Sequence, residues 1–215
     1  MRQVALSRLH FPVTTLGPGR RVGIWLQGCS LRCPGCISVD TWEHGVGMAD
    51  LGDVVDALVA LAADADGLTV SGGEPFEQPG PLAELLRAWR RVSSGSILVF
   101  TGLELEDLES WLADNPGLVD ATVTGRFRSD LPQTMVLRGS DNQRLTALTP
   151  LGSEVLRYDR SATDADRRLD VMFDEDGAAW FAGIPARGDL GRLRRAMAVA
   201  GHRATTSDMA GACAS

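Results

Sequence analysis

Short apolar runs alternate with segments of three- and four-residue periodicity along most of this chain. Gln3 to Leu9 alternates polar and apolar positions, the two-residue period of a half-buried strand, and the turn-rich stretch Gly17-Pro18-Gly19-Arg20 follows it. Val22 to Gln27 is short and apolar, as expected of a buried strand. From Met48 to Ala63 the apolar positions Leu51, Val54, Val55, Leu58, Leu61 and Ala62 recur at helical intervals, with Asp50 and Asp53 suited to the positive N-terminal end. Leu68-Thr69-Val70 is the next strand and opens into Ser71-Gly72-Gly73-Glu74-Pro75. Leu82, Leu85, Leu86 and Trp89 make one helical face. Ile97 to Phe100 reads as a strand ending at Thr101-Gly102. Leu105, Leu108, Trp111 and Leu112 make a helix that Asn115-Pro116-Gly117 stops. Ala121 to Thr124 is a strand ending at Gly125-Arg126-Phe127, and a last strand is expected around Leu145.

Strands alternating with helices of this length imply βαβ units, an α/β class and a parallel sheet. The repeats are too few for a closed eight-stranded barrel, so an incomplete, open barrel is expected over residues 1–150. Beyond it, Arg168 to Phe173 alternates, Glu175-Asp176-Gly177 is a turn signal, and Ala179 to Ala182 returns as a hairpin. Leu190, Leu193 and Met197 mark a closing helix. Residues 151–205 are too few to bury a core alone, so they are expected to pack on the barrel as a β-hairpin plus helix extension. The Ala/Gly/Ser-rich residues 206–215 read as a flexible tail.

Composition narrows the function. The chain has 215 residues, 44% of them hydrophobic, a formal net charge of −7 and a pI near 5.0. That balance argues against nucleic acid or an anionic membrane as partner. Arg192, Arg194 and Arg195 form the densest basic group and read as a solvated helix face. No run approaches the roughly 18 to 20 apolar residues of a membrane span, and no charged-then-apolar leader opens the chain. A cytoplasmic protein is expected, and a reducing compartment suits cysteines that bind metal.

Three of the four cysteines, Cys29, Cys33 and Cys36, form a C-x3-C-x2-C array directly after the Val22 strand. Thiolates select zinc, copper(I) or iron–sulfur clusters. Three of them leave one coordination position unfilled, where chemistry can occur. Neither the ferredoxin run nor paired zinc knuckles have this spacing. The alternatives are a structural zinc completed by His44 or His10, or reduced thiols clustered by chance. Cys213 reads as inert, and with no other cysteine after residue 150 an auxiliary cluster domain is not expected.

At these residues the chain resembles the radical S-adenosylmethionine (radical SAM) superfamily. The CPGC form, the following Thr41-Trp42, Gly17-Pro18-Gly19 with Arg21, Gly72-Gly73-Glu74, Thr101-Gly102, Gly125 with Phe127, and Arg138-Gly139-Ser140 with Asn142-Gln143 resemble the branch that activates anaerobic ribonucleotide reductase. The resemblance implies a partial (β/α)6 barrel and one 4Fe-4S cluster held by Cys29, Cys33 and Cys36, its fourth iron chelated by S-adenosylmethionine. It implies an adenine contact on backbone around Gly35, Cys36 and Ile37. Gly72 and Gly73 would offer side-chain-free backbone, Glu74 an acceptor for the ammonium, and Thr101 a further contact. It also implies reductive cleavage of S-adenosylmethionine to a 5′-deoxyadenosyl radical that abstracts hydrogen, with the cofactor supplying the chemistry. A large glycyl radical enzyme is the implied partner, and flavodoxin or ferredoxin the implied one-electron donor. Two rival readings remain: a radical SAM enzyme modifying its own small-molecule or peptide substrate, and a zinc-binding module without turnover.

Overall fold

The computed structural model describes residues 2–173, 179–203 and 205–207; the expected turn at Glu175-Asp176-Gly177 and Cys213 lie outside them. Strand β1 (Gln3–Val13) runs antiparallel to β2 (Arg21–Leu26), and β3 (Met48–Asp50) pairs antiparallel with the start of β1. Helix α1 (Leu51–Ala62) starts where Asp50 accepts a 2.8 Å hydrogen bond from the Gly52 N–H. The helical periodicity that reaches back to Met48 therefore stops at this cap, and residues 48–50 become the edge strand. β4 (Gly67–Gly72), α2 (Pro79–Val92), β5 (Ser96–Phe100), α3 (Glu109–Asp114) and β6 (Ala121–Thr124) follow.

The seven-stranded sheet has the order β3-β1-β2-β4-β5-β6-β7, with β7 at Arg144–Ala147. β2, β4, β5 and β6 are parallel. The fold is mixed α/β around this parallel centre. β7 is antiparallel to β6, unlike the parallel series expected from its place in the alternation. Between β6 and β7 the chain makes no helix, and a parallel return needs a crossover that an irregular loop does not supply.

Successive strand residues point to opposite faces, and both faces are covered. On one, Val22, Ile24, Leu26, Leu68, Val70, Ile97 and Val99 pack with Leu58 of α1 and Leu82, Leu85, Leu86 and Trp89 of α2. Each fully buried Leu or Ile there contributes roughly 1.5–3 kcal/mol. On the other, Leu98, Ala121 and Val123 meet Val136, Leu137, Leu145 and Val155, while Trp25 meets Val13, Leu16 and Ala182. Phe100 and Ile184 touch both of these clusters. Strands β8 (Asp170–Phe173) and β9 (Ala179–Ala182) form an antiparallel pair, followed by α4 (Asp189–Val199). The Asp170 carboxylate ties the pair to the end of β1, accepting from the N–H and hydroxyl groups of Thr14 and Thr15 at 2.6–3.1 Å.

Two buried charges organise the sheet. Arg21 is fully buried and donates to the Leu68 and Ser96 carbonyls at 2.6 and 2.7 Å and to Thr69 Oγ1 at 2.7 Å. It stitches together the N-terminal ends of β2, β4 and β5. Burial pushes its pKa down to about 10, so it stays charged at neutral pH. Asp120, ahead of β6, takes the Ile97 N–H at 2.7 Å, Thr149 Oγ1 at 2.6 Å and the guanidinium of Arg90.

Candidate cluster site

Leu26 delivers the chain from β2 into Gln27-Gly28-Cys29 at the C-terminal end of the parallel strands, where α/β proteins place their ligand sites. Cys29 is buried, whereas Cys33 and Cys36 are half-buried on the outer part of the loop. The Cys36 N–H closes a turn on the Cys33 carbonyl at 3.1 Å, and the Ser38 N–H donates to Cys36 Sγ at 3.4 Å. A second segment holds the loop from behind. The Gly28 N–H donates to Thr41 O at 2.8 Å and the Cys29 N–H to Trp42 O at 3.1 Å, so the Thr-Trp pair forms the rear wall of the cysteine loop.

The Gly72-Gly73-Glu74 turn at the end of β4 lies against this loop. The Gly73 N–H donates to Leu26 O at 2.8 Å and the Glu74 N–H to Gly28 O at 2.9 Å. A Cβ on Gly73 would sit 2.1 Å from the Gly28 oxygen, and one on Gly72, whose φ is +105°, 2.4 Å from the Leu26 oxygen. Both glycines are thus required by close backbone approach within the protein, before any ligand is considered. The resemblance implies Glu74 as an acceptor for an ammonium. Its carboxylate is buried and already takes Thr101 Oγ1 at 2.7 Å, the Gly102 N–H at 2.9 Å and the Phe76 N–H at 3.1 Å. Burial pushes the carboxyl upward in pKa while these donors oppose it. Glu74 and Thr101 therefore lock the turn after β4 to the one after β5.

Glu77, which periodicity and motif did not single out, fastens the cysteine loop itself. It accepts from the Ser30 N–H at 2.9 Å and from the Ser30 hydroxyl, and its other oxygen meets His44 Nε2 at 2.9 Å. Burial alone would raise this carboxyl, but the Ser30 and His44 contacts outweigh it and hold it below the usual range. Ser30 and Glu77 are 47 positions apart, so no local pattern could pair them. A third strap comes from the loop after β6: Arg126 donates to Leu31 O at 2.7 Å, and Phe127 and Ser129 lie beside Gly35. Beyond α4, the Ser207 hydroxyl donates to the Ile37 carbonyl at 2.5 Å. Gly35, Cys36 and Ile37 thus lie between the loop after β6 and the C-terminal segment.

Among the described residues no three Cys, His, Asp or Glu side chains converge on one point. The thiols share one short loop, and binding a common ligand means gathering them there. The donor set still fits an iron–sulfur cluster better than zinc. Three soft donors lie within eight residues, and His44, which stands beside Gly28, is engaged by Glu77. Burial pushes the Cys29 and Cys36 thiols up from their ordinary values, and a cationic cluster reverses that preference by displacing the protons.

Comparison with known proteins gives the class of this three-cysteine loop on a parallel α/β sheet. A family model described as a 4Fe-4S single cluster domain matches residues 15–146. The chain is 31% identical over 143 residues to the anaerobic ribonucleoside-triphosphate reductase-activating protein of Salmonella typhi, spanning 62% of this chain and 93% of that one. A protein of the same name from Enterobacteria phage T4 is 31% identical over 140 residues, 62% of this chain and 87% of that one. The pyruvate formate-lyase-activating enzyme of Listeria monocytogenes is 42% identical over 88 residues, 37% and 35% of the two chains. The chain belongs to the 4Fe-4S single cluster domain family and, within it, to the radical SAM activating enzymes. Its cofactors are accordingly an iron–sulfur cluster and S-adenosylmethionine. The family match ends at residue 146, ahead of the β8–β9 pair and α4.

Proposed function

We propose that this enzyme installs a radical on a glycine of a large glycyl radical partner, anaerobic ribonucleoside-triphosphate reductase being the leading candidate. The observation that carries this reading is the cysteine loop at the C-terminal ends of parallel strands in a chain 31% identical to an activating protein over 93% of that protein's length. Cys29, Cys33 and Cys36 would hold the cluster, which when loaded supplies the electron that cleaves S-adenosylmethionine to methionine and a 5′-deoxyadenosyl radical. Gly72 and Gly73 give this ligand backbone free of side chains, and Glu74 with Thr101 keeps that backbone in place. Gly35, Cys36 and Ile37 supply the adenine edge. Glu77 and Arg126 brace the loop so that the thiolates keep their positions when the cluster changes charge. The sheet serves as an incomplete (β/α)6 barrel, and the segment from residue 151 onward as an extension packed upon it. A flavodoxin or ferredoxin delivers the electron in the cytoplasm.

A second reading is favoured by one observation. Ala182 and Ile184 pack with Trp25 and Phe100 on the sheet face opposite α1 and α2, and Ser207 reaches the cysteine loop. Such an extension would narrow the approach and suit a small molecule or short peptide as substrate. The test mixes reduced enzyme, S-adenosylmethionine and an anaerobic ribonucleoside-triphosphate reductase, followed by electron paramagnetic resonance. A glycyl-type doublet on the partner supports activation. Consumption of a small molecule with no such signal supports the second reading.

A further inference from the structure

The Arg138-Gly139-Ser140-Asp141-Asn142-Gln143 string is only partly explained by bracing the cluster loop. Ser140 Oγ takes the Arg128 N–H at 3.0 Å, Asn142 donates to Arg126 O at 2.8 Å and Gln143 to Gly125 O at 3.0 Å, so these three hold the loop after β6. Arg138 does none of this. Its side chain is 5% exposed, and among the described residues its one hydrogen bond runs from Nη2 to Asp159 Oδ1 at 2.6 Å. Nε and Nη1 are buried with no partner among the described residues. A guanidinium carries five donors, and each buried donor left unpaired costs about 1–3 kcal/mol.

Asp159 is a weak partner for so buried a cation. It is about half exposed and engages through one oxygen, although a carboxylate can grip a guanidinium through two parallel bonds. The two residues line a cleft of about 540 Å³, which falls in the size range of small-molecule sites. Arg144 and Thr146, whose side chains make no hydrogen bond or ion pair among the described residues, lie on its β7 wall, and Met135 and Leu145 add apolar surface. Asp141, also on the wall, is taken up by the N–H groups of Thr134 and Met135 and by the Thr134 hydroxyl.

We infer that this cleft binds a small oxyanion, a phosphate or carboxylate group, with Asp159 standing in for it in the free protein. On binding, the ligand replaces Asp159 on Nη2, engages Nη1 in the same fork and takes Arg144 as its second cation. The released Asp159 carboxylate is accommodated by water. The inference is independent of the radical chemistry, because it concerns binding alone.

The test is thermal unfolding and calorimetric titration of the full-length, cluster-loaded protein with inorganic phosphate and, separately, succinate, using chloride at matched ionic strength as control. A saturable rise in melting temperature with one of the two anions, absent with chloride, is expected, and the anion that produces it identifies the source. Asp159→Asn removes the internal competitor and should tighten binding about tenfold, the equivalent of one charge-assisted hydrogen bond. Arg138→Gln should abolish binding, and Arg144→Gln should weaken it about tenfold by the same reasoning. The tightening in Asp159→Asn cannot arise from misfolding, so the inference stands or falls even if Arg138→Gln does not fold. No saturable response to either anion, or an affinity in Asp159→Asn no higher than in the wild type, overturns it.

Discussion

Replacing Gly73 by alanine adds a single methyl group, and that group has nowhere to go. Its Cβ would stand 2.1 Å from the Gly28 oxygen, 2.7 Å from the Gly28 carbonyl carbon and 3.0 Å from the Thr41 oxygen, all backbone atoms. Relief requires the two segments to part by roughly 1 Å, since the repulsion at such distances far exceeds any single contact energy. That displacement breaks the 2.9 Å bond from the Glu74 N–H to Gly28 O. The lost hydrogen bond costs about 1 kcal/mol and the overpacking about 1–3, so Gly73→Ala should lose about 2–4 kcal/mol in urea unfolding. Gly28 immediately precedes Cys29, so the same movement shifts the buried thiolate. Iron content after anaerobic reconstitution should fall, and S-adenosylmethionine cleavage should fall by about 100-fold, as expected for a 1 Å misplacement at a reacting centre. From sequence alone the opposite split follows: a larger side chain at Gly73 weakens S-adenosylmethionine binding and leaves iron intact. A Gly73→Ala protein with normal iron and stability but weak ligand binding would refute the packing argument.

Other outcomes follow from the same structure. Cys29→Ala, Cys33→Ala and Cys36→Ala should each abolish cluster assembly, measured as iron and sulfide per chain; a normal cluster in any of them would show the ligand set is misassigned. Asp120→Ala leaves the largely buried Arg90 guanidinium and the Ile97 N–H without their shared acceptor, and should cost about 3–5 kcal/mol of unfolding free energy. A loss under about 1 kcal/mol would mean the ion pair is solvent-screened like a surface one. Asp166 accepts from Arg160 and Thr163, which depress its carboxyl well below the ordinary range. Because the folded-state pKa is the lower one, the carboxylate stabilises the fold above the unfolded value of about 3.9, and that contribution disappears as pH falls below it. The stability gap between wild type and Asp166→Asn should therefore be full at pH 7 and shrink below about pH 4. A gap that does not change across that range would contradict the assignment.

Local patterns carried much of this architecture. The strand over Ala121 to Thr124 has the bounds expected of it, and the helix faces of Leu51 to Ala62 and Leu82 to Trp89 follow directly from their periodicity. What the pattern could not carry was pairing. Residues 48–50 fit a helix by periodicity but are extended because the Asp50 side chain caps at Gly52 and β1 offers a partner. β7 looks like any short apolar strand; its antiparallel direction depends on the absence of a helix across residues 125–143. The cysteine loop was legible because three like residues crowd together. Its supports were not, since Glu77, Arg126 and Thr41 reach it from distant positions with no spacing signature. Glycine at Gly72 and Gly73 was legible as a need for close approach, but which neighbour approaches is a tertiary fact.

The activity depends on the C-x3-C-x2-C loop holding a single 4Fe-4S cluster able to cleave S-adenosylmethionine. Its most direct test is anaerobic reconstitution with iron, sulfide and zinc quantified per chain, then reduction in the presence of S-adenosylmethionine and assay of 5′-deoxyadenosine and methionine. Four irons and four sulfides per chain, with both products formed in equal amounts, are predicted from the 4Fe-4S stoichiometry. Zinc at full occupancy that iron does not replace, or a full cluster that yields neither product, would contradict the claim.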